Sequence, residues 1–190
     1  LVAETADGGP AYIFGLPYEE DGALYNSVMV AEGGRSHIRH KVHLPNYSVF
    51  DEKRLFRAGK LPDPVTVSTS SGDLKIGLPI CEDIWFEDVV ECLCETGAEL
   101  LIILNGSPFT RNKDDVRLNV AMQRVVESKL PLIYVNQVGG QDELVFDGGS
   151  FVLNSDFTVP LKLPSFSSTT KNTEWKKERD VWVCKNFKKP

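Results

Sequence analysis

Short apolar runs separated by turn-forming residues divide the chain into elements of two periodicities. Runs bounded by Gly, Pro, Asn or Asp predict strands at 11–16, 27–30, 37–44, 65–68, 75–80, 100–104, 132–135 and 150–153. Gly33–Gly34 between two of these favours a hairpin over 30–38, and the stretch 71–73 separates another pair. Two segments instead repeat at helical spacing. In 87–96, Val89, Val90, Leu93 and Cys94 share one side and Gly97 provides the stop; in 114–128, Val116, Val120, Met122 and Val125–Val126 fall largely on one side, ending before Leu130–Pro131.

The central order is strand, helix, strand, helix, strand, the signature of an α/β unit. The run LLIIL (100–104) is apolar throughout, which predicts a strand buried on both faces. Other segments read as hairpins, so a mixed or two-sheet α/β layering is expected instead of a purely parallel sheet. The phosphate-binding patterns GxGxxG and GxxxxGK[ST] are both absent, and nothing in these residues supports nucleotide binding through either.

Composition narrows the class. With 190 residues, 42% hydrophobic and 25% charged, the chain has material for one globular domain with a substantial core. A net charge of −6 argues against a nucleic-acid surface, and no apolar run is long enough to predict a membrane span. Cys81, Cys92, Cys94 and Cys184 form no CxxC pair, and His37, His40 and His43 occupy a different segment at a period of three that scatters them over a strand. A zinc site and a dense disulfide framework are therefore not expected, and a reducing cytoplasmic setting fits a reactive thiol. The first residues read as the tail of a helix running into a turn, and the Lys-rich end as a linker; both ends read as cut.

The densest chemical signal is GLPICEDIW, residues 77–85. Cys81 stands at a predicted strand end just before a helix, where backbone N–H groups stabilise a thiolate or an oxyanion. The plain alternative is a small buried hydrophobe. Lys41, in KVHLPNYSVFDE, could lower the pKa of such a thiol and stabilise a tetrahedral oxyanion, and Glu52 could pair with it. Taken singly, each reads as a solvated surface charge.

Together, KxxLPNYxVFDE, ICEDIW, NGSP and YVNQVGGQDELVFDGGSF resemble the nitrilase superfamily of carbon–nitrogen hydrolases, and more narrowly the glutaminase domains of bacterial glutamine-dependent NAD synthetases. The resemblance covers about residues 11–166 and extends toward 175–184. It implies an α/β fold, a two-sheet α-β-β-α sandwich lacking its N-terminal strand and helix in this sequence. The implied division is a truncated hydrolase domain over 1–166 and, over 167–190, an extension or linker toward an absent synthetase domain. It also implies a Glu–Lys–Cys set, with the nucleophile at Cys81, the lysine at Lys41 and a supporting glutamate at Glu52. The general-base glutamate of the family lies upstream; Glu4, Glu19 and Glu20 do not match its context, so a base outside these residues is expected.

The same resemblance places substrate contacts at Tyr47, Glu82, Asn105, Ser107 and Arg111, with Lys113 as the alternative to Arg111. The backbone N–H of Glu82 joins Lys41 at the oxyanion. The polar, glycine-rich segment 136–149 reads as a pocket wall or as tight surface turns, and Asp142 and Glu143 could engage a neighbouring domain. The implied partners are L-glutamine, a C-terminal NAD synthetase domain and further copies in a homo-oligomer. No cofactor is expected in this domain; ATP, magnesium and deamido-NAD belong to the absent one. A stand-alone ω-amidase or aliphatic amidase and a non-catalytic structural module are the alternatives.

Overall fold

The computed structural model describes residues 1–185. Its first three strands, β1 (Tyr12–Glu20), β2 (Ala23–Glu32) and β3 (Arg35–His40), form an antiparallel sheet in the order β1-β2-β3. Two tight turns fix its register. Asp21 and Gly22 (φ 50° and 70°) join β1 to β2, and Gly33 and Gly34 (φ 55° and 74°) join β2 to β3. Two consecutive left-handed residues give the turn whose twist matches a hairpin. The hairpin expected over 30–38 is present, whereas the Asp21–Gly22 hairpin was not foreseen.

A second, six-stranded sheet has the order β11-β10-β7-β6-β5-β4. It comprises β4 (Val65–Thr69), β5 (Gly72–Gly77), β6 (Leu100–Asn105), β7 (Leu132–Asn136), β10 (Phe151–Leu153) and β11 (Leu161–Lys162). Strands β5, β6 and β7 run parallel, linked through the helices α1 (Asp88–Glu95) and α2 (Lys113–Ser128). The remaining strands are two hairpins, β8 (Val138–Gln141) with β9 (Leu144–Asp147) and β12 (Trp175–Glu178) with β13 (Val181–Cys184).

Two apolar interiors organise these layers. Val28 and Val30 of β2 meet Val65, Val67, Leu74, Ile76 and Leu100 between the sheets. On the opposite face of the larger sheet, Val89, Val90 and Leu93 of α1 and Ala121 and Val125 of α2 meet Leu101, Ile103, Leu132 and Leu153. Leu100, Leu101 and Ile103 are buried, in keeping with a strand covered on both sides. The two-sheet α/β fold is thus present as layers of sheet, sheet and helix.

Several boundaries differ from expectation for physical reasons. The predicted strand 75–80 ends at Gly77, because Pro79 has no N–H for a ladder, and Ile80 returns only through an isolated bridge to Leu104. Likewise β3 stops at His40, where an irregular stretch running through Pro45 begins. In α2 the interior face carries Arg117, Ala121, Arg124 and Val125, while Val116 and Val126 are exposed. The 167–190 segment is packed against the domain as far as it is described: Trp182 is buried in the inter-sheet core, and the Cys184 N–H donates to Asn154 Oδ1 at 2.9 Å. The terminal lysines expected to act as a linker lie outside the described residues.

Candidate active site

Cys81 opens a short 3-10 helix, Cys81–Trp85, directly after the Ile80 bridge. Its φ of 49° is left-handed, a strained state for a residue with a side chain. The turn lies just past β5, and Cys81 lines a cavity there. Across from it, Lys41 follows the last residue of β3 and its N–H donates to Asn26 O at 2.8 Å. The Lys41 side chain is 1% exposed, and its Nζ donates to Glu52 Oε1 at 2.6 Å. Glu52 begins the 3-10 turn Glu52–Arg54, and its Oε2 accepts from Asn26 Nδ2 at 3.3 Å.

Cys81, Lys41, Glu52 and Asn105 line one cavity of about 400 Å³, together with Asn26, Phe50 and Gly106. Burial pushes the Cys81 thiol above its ordinary value; the Lys41 ammonium and then the Gly106 backbone N–H act in the opposite sense. The buried lysine thus faces a thiol that burial holds neutral. It has one carboxylate bond and further hydrogens on Nζ to offer an oxyanion.

The other expected positions separate. Tyr47 Oη donates to Glu82 Oε1 at 2.7 Å, and both line an adjoining cavity of about 640 Å³ with His43 and Phe86. Burial, followed by the bond to Glu82, pushes the Tyr47 phenol up to about 12. Asn105 donates from Nδ2 to the Ile103 and Val135 carbonyls, both at 3.0 Å, and its buried Oδ1 has no partner. Ser107 is buried, and its hydroxyl accepts from Arg117 Nε at 3.2 Å. Arg111 is exposed and lies outside the cavity lining, whereas Lys113 sits 5.1 Å over the Trp85 ring.

Residues unnoticed in the sequence complete the frame. Asp83, two positions after the cysteine, accepts backbone N–H groups from three residues. The loop 105–108 is held by Arg117 and Asn136. Arg117 donates to the Ser107 and Pro108 carbonyls and to Asp147, and Asn136 Oδ1 accepts the Ser107 N–H at 2.9 Å. The glycine-rich loop itself is the β8–β9 hairpin. No group of three or more metal-ligating side chains occurs among the described residues. No described helix is long and apolar enough to cross a membrane.

A family profile described as carbon-nitrogen hydrolase matches residues 1–174. The chain belongs to the carbon-nitrogen hydrolase family. Among curated relatives it is similar to the glutamine-dependent NAD(+) synthetase of Rhodobacter capsulatus, with 43% identity over 183 residues, 96% of this chain and 32% of that protein. The synthetase of Aquifex aeolicus is 44% identical over 142 residues, 74% of this chain and 24% of the relative. This hydrolase chain thus spans about a third or less of the length of these relatives.

Among solved structures it resembles the glutamine-dependent NAD+ synthetase of Acinetobacter baumannii, with a TM-score of 0.83 and 35% identity over 95% of this chain and 34% of that one. An amidase from Nesterenkonia sp. AN1, solved after Michael addition of acrylamide at its active-site cysteine, gives a TM-score of 0.71 and 26% identity over 86% and 63%. Family membership supports hydrolysis of carbon–nitrogen bonds of the amide type.

Proposed function

We propose that Cys81 attacks the side-chain amide of L-glutamine, so that the chain serves as the ammonia-producing part of a glutamine-dependent NAD synthetase. The observation that carries this reading is the shared cavity of Cys81, Lys41, Glu52 and Asn105. Similarity to glutamine-dependent synthetases supports glutamine over other amides.

In the proposed sequence a carboxylate base takes the Cys81 proton, and the sulfur bonds to the carboxamide carbon. Lys41 and nearby backbone N–H groups hold the oxygen while it carries negative charge. Collapse breaks the C–N bond, and ammonia leaves with the proton returned by the base. Water, losing its proton to the same base, then breaks the γ-glutamyl thioester to give glutamate and the free thiol. Covalent catalysis divides one difficult displacement into two easier ones.

Neither nearby glutamate is free to be that base. Glu52 is bonded to Lys41 and Asn26, and Glu82 to Tyr47. The base is accordingly assigned to neither of them, and the chain alone should show little turnover. The ammonia would pass to a synthetase part that uses ATP, magnesium and deamido-NAD. The pairing of Tyr47 with Glu82 supports a place for the substrate ammonium beside the cavity. Ser107 and Arg111, or Lys113, remain the proposed carboxylate contacts, Arg111 requiring a movement toward the cavity.

A chloroketone analogue of glutamine, applied at pH 9 to the 190-residue chain, tests the substrate without needing the base. Peptide mass spectrometry should find the adduct on Cys81, with excess glutamine suppressing it and Cys81→Ala abolishing it. Equal labelling of Cys92 and Cys94, unprotected by glutamine, would reject the reading. The likeness to the Nesterenkonia amidase supports a second reading, a stand-alone amidase; protection by simple aliphatic amides but not by glutamine would favour it.

A further inference from the structure

Two positions after Cys81 lies a buried carboxylate whose partners are all backbone N–H groups. Asp83 is 1% exposed and forms no ion pair among the described residues. Instead its Oδ1 accepts the N–H groups of Val42 at 3.1 Å and His43 at 2.8 Å, while Oδ2 accepts the N–H of Ile80 at 2.9 Å. Val42 is the residue after Lys41, and Ile80 is the residue before Cys81. We propose that Asp83 is a positioning residue that locks the Lys41 segment to the Cys81 turn and so sets the separation of ammonium and sulfur across the cavity.

The topology leaves this task to a side chain. Lys41 lies just past β3 and Cys81 just past β5, and the two sheets that carry them share no ladder. Packing between the sheets is apolar and non-directional, so it fixes a layer spacing without fixing the placement of one ammonium. Charge-assisted bonds from one carboxylate to both chain segments supply the missing direction. Burial pushes the Asp83 carboxyl up to about 6, even though the N–H groups of His43 and Ile80 and the Lys41 charge favour its ionised form. The fold therefore places an acid where burial opposes its charge, and the bonds at both ends account for its retention.

An asparagine at this position reproduces the shape but not the bonding. One end of an amide is a donor, and it would confront either the Ile80 N–H or the pair from Val42 and His43. The inference rests on reading Cys81 as the nucleophile, and its test needs no glutamine site. Cys81 in the 190-residue chain is alkylated with iodoacetamide across a pH series and quantified by peptide mass spectrometry. Asp83→Asn should react about tenfold more slowly at pH 8, with the profile displaced upward, because a loosened Lys41 stabilises the thiolate less.

Leu93→Ala, cut from the helix-side core, provides the comparison. It should lower the melting temperature while leaving the Cys81 profile in place. A folded Asp83→Asn chain with the wild-type profile would overturn the proposal. Should that variant not fold, amide exchange in the unaltered chain decides: Val42, His43 and Ile80 are expected to be protected at least about a hundredfold. Exchange at the rate of free loops would refute the lock. Loss of glutamine protection in the chloroketone experiment bears only on the substrate, so the two ideas fail separately.

Discussion

Lys41 and Arg117 are both buried cations paired with a carboxylate, yet they are built for different ends. Arg117 is nearly saturated: four of its five N–H groups donate, to Asp147, to the Ser107 hydroxyl and to the Ser107 and Pro108 carbonyls. Lys41 has a single partner, Glu52, and stands on a cavity wall beside a thiol. The first arrangement spends four of five donors on holding a loop and its carboxylate, and the second keeps two of three in reserve. A buried charge with most of its hydrogens unused beside a cavity points to chemistry; one with nearly all of them bonded points to architecture.

Arg117→Met should give the largest stability loss, about 3–5 kcal/mol, because Asp147 would remain buried without its partner. The side chain of Asp147 is only 3% exposed and its Oδ1 already lacks a bond. Urea unfolding monitored by circular dichroism measures this. Lys41→Met should cost less, about 1–2 kcal/mol, since Glu52 is 17% exposed and keeps Asn26. If the Lys41 variant proved the more damaging, the distinction between the two cations would collapse.

Reactivity should rank them the other way. The Cys81 thiol is neutral below its raised pKa and nucleophilic above it, so alkylation should continue to rise with pH past the ordinary thiol range. Removing the Lys41 ammonium displaces that rise to still higher pH, with about a tenfold slower reaction at pH 8. A stopped-time iodoacetamide series reads both effects. Tyr47→Phe comes last. Its ring is 56% exposed, and loss of the bond to Glu82 should change stability by under about 1 kcal/mol in the same urea assay.

The parts visible in the sequence were those with a local pattern. Apolar runs located β4, β6 and β7 nearly to the residue, and Gly97 marked the end of α1. Cys81, Lys41 and Glu52 stood out through short motifs, and the fold brings them to one cavity. The face of α2 was misjudged because Arg117 and Arg124 point inward, and a pattern of apolar positions counts every arginine as outside. The β8–β9 hairpin was hidden by its glycines, which carry little strand preference. Asp83 and Asn136 were invisible for a different reason: their partners are backbone amides and carbonyls, which leave no trace in residue identity.

The left-handed backbone at Cys81 has an outcome that reverses a familiar ranking. At most positions alanine is tolerated better than glycine, because glycine gives the unfolded chain more freedom. Here a Cβ is itself the burden, and φ of 49° costs any L-residue about 1–2 kcal/mol. Cys81→Gly should accordingly melt higher than Cys81→Ala, by roughly 0.5–1 kcal/mol in unfolding free energy. A selection for thermal endurance alone would drift toward glycine at this site, against the proposed need for a sulfur there.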